Sequence, residues 1–198
     1  MQKLNFKQTL VDAFNLGIAN ILNLLLTALL WIITVWIPYL NVGTTIGFFK
    51  IIVALSKGEE IKPTSIFSKE NYKGLGDFFL LFGLQTAGII AAAMLFVAPI
   101  VSLAWQFAFY FFVDKKVSPL KALALSYDTT CGEKWTLFFI YLVFSLIIGY
   151  ICSLLGMVPY IGGVLAFLAI IAGIACIMGL EAVLYKHFSA KAEAPAAE

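Results

Sequence analysis

The chain is 198 residues long, 62% hydrophobic and only 12% charged, with a formal net charge of +2. Charged side chains take about a quarter of positions in soluble domains, so this composition excludes an ordinary water-soluble globule and makes the bilayer the solvent. No nucleic-acid partner is expected, and all 13 basic residues are lysine, so the chain has no arginine fork to clamp a phosphate or carboxylate.

In chain order, an amphipathic stretch from Phe6 to Phe14 leads into a first charge-free run, Ala13 to Phe49. Further charge-free runs extend from Phe78 to Val113 and from Trp135 to Leu180. One crossing needs about 20 apolar residues, so each run is too long for one helix and near the length of two. Prolines near the middle of each run, Pro38, Pro99 and Pro159, mark the chain reversals. They lie 61 and 60 residues apart, which reads as an internal repeat. The expected fold is all-α, a polytopic transmembrane bundle of six helices. It is arranged as three tandem proline-broken hairpins, at about 13–56, 75–113 and 135–186, in one domain over residues 1–188. The second hairpin is the doubtful crossing, since the 14 residues between Pro99 and Asp114 make about 21 Å of helix.

Short amphipathic stretches precede the second and third hairpins as well, at Pro63 to Phe67 and Ser118 to Cys131. In the latter, Ser118 suits a cap and Pro119 the first helical position. Leu120, Leu123, Ala124, Tyr127 and Cys131 recur at helical spacing, as expected of a helix lying on the membrane surface. The tail, residues 189–198, is short, alanine-rich and expected to be disordered in the cytoplasm.

Lysine placement sets the orientation. Lys3 and Lys7, then Lys57, Lys62, Lys69 and Lys73, then Lys115, Lys116, Lys121 and Lys134, then Lys186 and Lys191 flank the hairpins, and the proline turns carry none. Cytoplasmic loops collect lysine, so both termini and both long loops are expected in the cytoplasm, with the chain in an inner (plasma) membrane. No removable signal peptide is expected, because the N-terminus lacks a short apolar core with a small-residue cleavage site.

Chemistry-bearing groups are few. Cys131, Cys152 and Cys176 fit no metal or redox spacing, only one histidine is present, and no metal or cofactor is expected. The Cys side chains are read as small packing residues. Gly74-Leu75-Gly76-Asp77 and Tyr127-Asp128 resemble the paired motifs of intramembrane aspartyl proteases, but in reversed order. Asp77 is better read as a first-turn carboxylate favoured by the helix dipole, and His187 as a helix-end cation. Small residues point to packing: Gly43 with Gly47, Ala104 with Ala108, and a stripe of Gly162, Ala166, Ala169, Gly173, Cys176 and Gly179 on the last helix. Such a stripe suits either a central helix or a homodimer seam. Lys50 and Glu181 are the two charges inside expected membrane helices: Lys50 is read as snorkelling to the headgroups and Glu181 as sitting at the wet helix end, with the alternative, suggested by the repeat, that they form an ion pair closing the bundle.

The second half of the chain carries Phe112-Val113-Asp114, Ser118-Pro119-Leu120-Lys121-Ala122-Leu123, Ser126, Gly132-Glu133-Lys134-Trp135-Thr136-Leu137-Phe138, Pro159 and Ala182-Val183-Leu184-Tyr185. In these residues it resembles an uncharacterised group of bacterial integral membrane proteins, related to the membrane domain attached to some glycerophosphodiester phosphodiesterases. The resemblance covers about half the chain and implies a bacterial inner-membrane helical protein with no assigned activity. The soluble phosphodiesterase domain has no counterpart in this sequence, so its activity is not carried over. Without an acid, base and nucleophile together in the membrane, an enzyme is not expected. The expected role is a non-enzymatic membrane protein that organises lipid or assists a partner complex. The alternative is a small transporter or channel subunit, disfavoured by the scarcity of embedded ionisable groups.

Overall fold

A computed structural model describes residues 3–193. Among them are nine α-helices, two short 3-10 turns and no strand. Helix α1 (Phe6–Ala19) starts where the Asn5 side chain accepts from the Gln8 amide at 3.2 Å. It ends at Asn20, whose side chain returns to the Leu16 carbonyl at 3.1 Å, and α2 (Ile21–Thr34) leaves at an 80° bend. An 80° break frees backbone groups that must find partners, and the asparagine supplies one. Helix α3 (Leu40–Ser56) follows a turn at Pro38.

The segment between α3 and α4 (Leu75–Met94) contains the 3-10 turns Pro63–Phe67 and Lys69–Tyr72. After a reversal at Leu95 to Val97, the chain forms α5 (Ala98–Trp105) and α6 (Ala108–Lys115), then α7 (Pro119–Thr130), α8 (Lys134–Gly156) and α9 (Gly162–Glu193). By length and composition α4, α8 and α9 can cross a membrane, and α1 with α2 makes a fourth candidate if the bent pair is one span. The six full-length helices expected from sequence are not seen. The second arm of the second hairpin is split into two eight-residue helices at Gln106 and Phe107.

Pro38 and Pro159 lie in the turns between α2 and α3 and between α8 and α9, while Pro99 sits in the first turn of α5, just past the break after α4. Each turn holds a non-glycine residue at positive φ: Tyr39 at 69°, Phe96 at 57° and Tyr160 at 67°. The tail differs from expectation, because α9 continues as helix through Glu193, and residues 194–198 lie outside the described residues.

Helix α9 is the axis. It packs on α1, α8, α3, α2 and α7, and apart from Gly162 its buried residues run from Gly173 to Phe188. The seam with α1 is close along its length: a Cβ on Gly17 would lie 2.7 Å from the Cys176 Cα, and one on Gly179 2.6 Å from the Ala13 carbonyl oxygen. Backbones approach this closely only where neither helix carries a side chain in the way. Outward-facing Leu22, Leu29, Ile33, Phe79, Phe82 and Ile90 leave α2 and α4 with exposed apolar faces, as expected of surfaces solvated by lipid.

Candidate functional site

Two polar groupings stand out against this apolar fold. The first surrounds the break between α5 and α6. A break in a membrane helix is tolerated when protein groups re-satisfy the freed backbone, and here α7 does so. The Ser126 hydroxyl donates to the Ala104 carbonyl at 2.7 Å and accepts from the Phe107 amide at 3.2 Å; Thr130 donates to the same carbonyl at 3.3 Å. Gln85 on α4 donates to the Trp105 carbonyl at 3.3 Å. Gln106 then donates to the Glu181 Oε1 at 3.1 Å, and the Tyr141 hydroxyl donates to the same oxygen at 2.9 Å. The Tyr110 hydroxyl also faces Glu181. The Oε2 of Glu181 and the Oε1 of Gln85 are buried with no protein donor among the described residues.

The second grouping is a cleft of about 420 Å³ between α3, the following segment, α4 and α6. Lys50, Lys73 and Lys116 face it together with Glu70 and Asp77, over an apolar floor that includes Ile46 and Val113. Lys50 donates to Asn71 Oδ1 at 2.9 Å. Asn71 is itself buried and donates to the carbonyls of Ser65 at 3.1 Å and Ile66 at 2.9 Å, which pins the segment to α3.

These contacts correct the suggested Lys50–Glu181 pair. The two residues take separate neutral partners, Asn71 for one and Gln106 with Tyr141 for the other, because α3 turns Lys50 toward the α3–α4 segment while Glu181 faces α6 and α8. Gly43 and Gly47 do seat a close neighbour, but it is that same segment: Gly43 abuts the Tyr72 ring and Gly47 abuts Ile66 and Asn71. Tyr72 also stacks on Tyr39, with ring centroids 5.3 Å apart. On α9, Gly173 meets Ile148 and Gly162 meets the Gly156 carbonyl, both within the α8–α9 hairpin. Ala166 faces Gly156 and Ala169 is half-buried.

Ion pairs gather where α8 begins and α9 ends. Glu133 Oε1 accepts from Lys191 at 3.1 Å, while its Oε2 meets His187 at 3.2 Å and accepts from the Leu4 amide at 3.3 Å. Lys57 pairs with Asp114, and Lys115 with Glu193. His187 is therefore a partner of Glu133 as well as a helix-end group. Asp77 lies in the first turn of α4, as read from sequence, and both it and Asp128 are exposed. Ser118 is at the N-cap of α7 with no side-chain capping bond. Cys176 is a packing residue, but Cys131 is exposed. Among the described residues no three His, Cys, Asp or Glu side chains converge on a metal position.

Gln85, Gln106, Tyr141 and Asn71 carry no reading from the sequence, and Ser126 and Glu133 enter there only as residues of the family pattern. The signal for the first two was present, since they are the only glutamines in the charge-free run from Phe78 to Val113. Compared with protein-family models, curated proteins and solved structures, the chain shows no match.

Proposed function

We propose that the chain is a non-enzymatic integral membrane protein of a bacterial inner membrane, with cytoplasmic termini, that organises lipid at the cytoplasmic leaflet. The observation that carries this reading is the separation of charge. The ion pairs and the lysine cleft gather around the start of α8 and the ends of α3, α6 and α9, while the α8–α9 turn is exposed and uncharged. Lysine-rich segments of this length stay in the cytoplasm. The α8–α9 hairpin then crosses the bilayer. The other two turns stay near the cytoplasmic interface, because Tyr39 stacks on Tyr72 beside Lys73 and Pro99 lines one cavity with Lys134 and Trp135. A fully crossing turn would stand about 30 Å from those lysines.

A second reading, a small transporter subunit, is favoured by one observation: Glu181 is held at a broken helix, and embedded carboxylates mark transport pathways. Liposomes holding the purified protein separate the two. Faster lipid scrambling without solute flux supports the organising role. Solute flux lost in Glu181→Gln supports the transporter.

A further inference from the structure

We propose that the cleft between α3, the α3–α4 segment, α4 and α6 binds the headgroup of an amino-phospholipid, a phosphodiester that also carries a primary ammonium. The proposal rests on the lipid-organising reading and names the lipid. Five charged side chains from four elements face one cleft: Lys50 from α3, Glu70 and Lys73 from the segment, Asp77 from α4 and Lys116 from the end of α6. None of them belongs to the ion pairs found among the described residues, and the one that is hydrogen-bonded within the cleft, Lys50, is bonded to a neutral amide. Three cations and two carboxylates that share a cavity without pairing leave both signs free for a dipolar ligand.

The presence of both signs, unpaired, selects the class. A phosphodiester carries one negative charge, which lysines hold as point charges. Its ammonium carries one positive charge and three donors, which suit Glu70 and Asp77. A headgroup with no cation would leave both carboxylates facing a like charge, which costs specificity and affinity. The apolar floor of Ile46 and Val113 meets the glycerol and upper acyl carbons, so the ligand is a lipid rather than its soluble headgroup. Lys116 is placed for this by an unusual backbone, the left-handed conformation at φ 51° that ends α6.

The test titrates the full chain, purified in detergent, with dioleoyl phosphatidylethanolamine, phosphatidylcholine and phosphatidylglycerol, reading bound lipid by native mass spectrometry. Saturable binding of phosphatidylethanolamine about tenfold tighter than of phosphatidylglycerol is expected, a difference of about 1.4 kcal/mol. Lys73→Gln and Lys116→Gln replace exposed side chains and are expected to weaken binding several-fold. Asp77→Asn is expected to narrow the preference over phosphatidylglycerol. Phosphatidylglycerol binding as tightly as phosphatidylethanolamine overturns the proposal, as does equal binding by the double lysine variant. Soluble glycerophosphoethanolamine, the same phosphodiester without acyl chains, displacing the lipid at equal concentration overturns the lipid as ligand. If binding holds while scrambling is absent, the organising reading fails and the site stands.

Discussion

Pro38-Tyr39 and Pro159-Tyr160 reverse the chain with nearly the same backbone, the tyrosines at φ 69° and 67°. Tyr160 is fully exposed, 105% of its reference surface, whereas Tyr39 stacks on Tyr72. The first hairpin is accompanied along α3 by a charged segment clipped down through Asn71, Ile66 and Tyr72. Around Gly156 and Gly162 the third hairpin touches its own two arms. A repeated turn therefore does not fix what its hairpin does: the neighbour that covers the small-residue face does.

Topology separates the turns most strongly. Reporters placed beside Pro38 and Pro99 are expected to signal the same side as one after Lys57, and a reporter beside Pro159 the opposite side. A signal beside Pro38 from the side opposite to Lys57 would instead carry α2 and α3 across the bilayer. Among substitutions, Gly179→Leu has the largest expected effect, about 3 kcal/mol in detergent denaturation, because its side chain would overlap backbone of α1. Asn71→Ala leaves two carbonyls and a lysine without their partner and is expected to cost about 2 to 3 kcal/mol; proteolysis between residues 57 and 74 should then accelerate.

Ser126→Ala removes two of the bonds at the α5–α6 break, leaving the Phe107 amide without its acceptor while Thr130 still reaches the Ala104 carbonyl, at about 1 to 2 kcal/mol. The smallest effects fall at the two tyrosine turns. Tyr39→Gly loses the aromatic stack, worth about 0.5 to 1.5 kcal/mol, while relieving a positive φ. Tyr160→Gly only relieves the φ, and its melting temperature is expected to hold or rise. Equal losses at the two turns would erase the distinction between them.

Much of the frame was legible because it is local. Prolines locate turns by geometry, apolar runs report the solvent, and the α7 helix follows from Pro119 and its periodicity. What covers a small-residue face is not local. Gly43 and Gly47 announce a close neighbour, but their spacing is the same whether a helix or a 3-10 turn lies against them. The Glu181 partners are 75 and 40 residues away in sequence, a distance at which repeat symmetry suggests Lys50 but cannot name Gln106 or Tyr141. The Gly17 seam with Cys176 escaped for a related reason: a lone glycine in α1 has no periodic companion to flag it.

Glu133 has a consequence of another kind. Its two oxygens hold the Leu4 amide and the Lys191 ammonium, so the beginning of α1 and the end of α9 meet at one side chain. The described chain is in effect a ring fastened by a carboxylate. Residues 4 and 191 could be joined by a short peptide and the chain reopened at the exposed turn around Tyr160, giving a circularly permuted protein with its helices in their original places. Its new ends would then stand at the far tip of the α8–α9 hairpin.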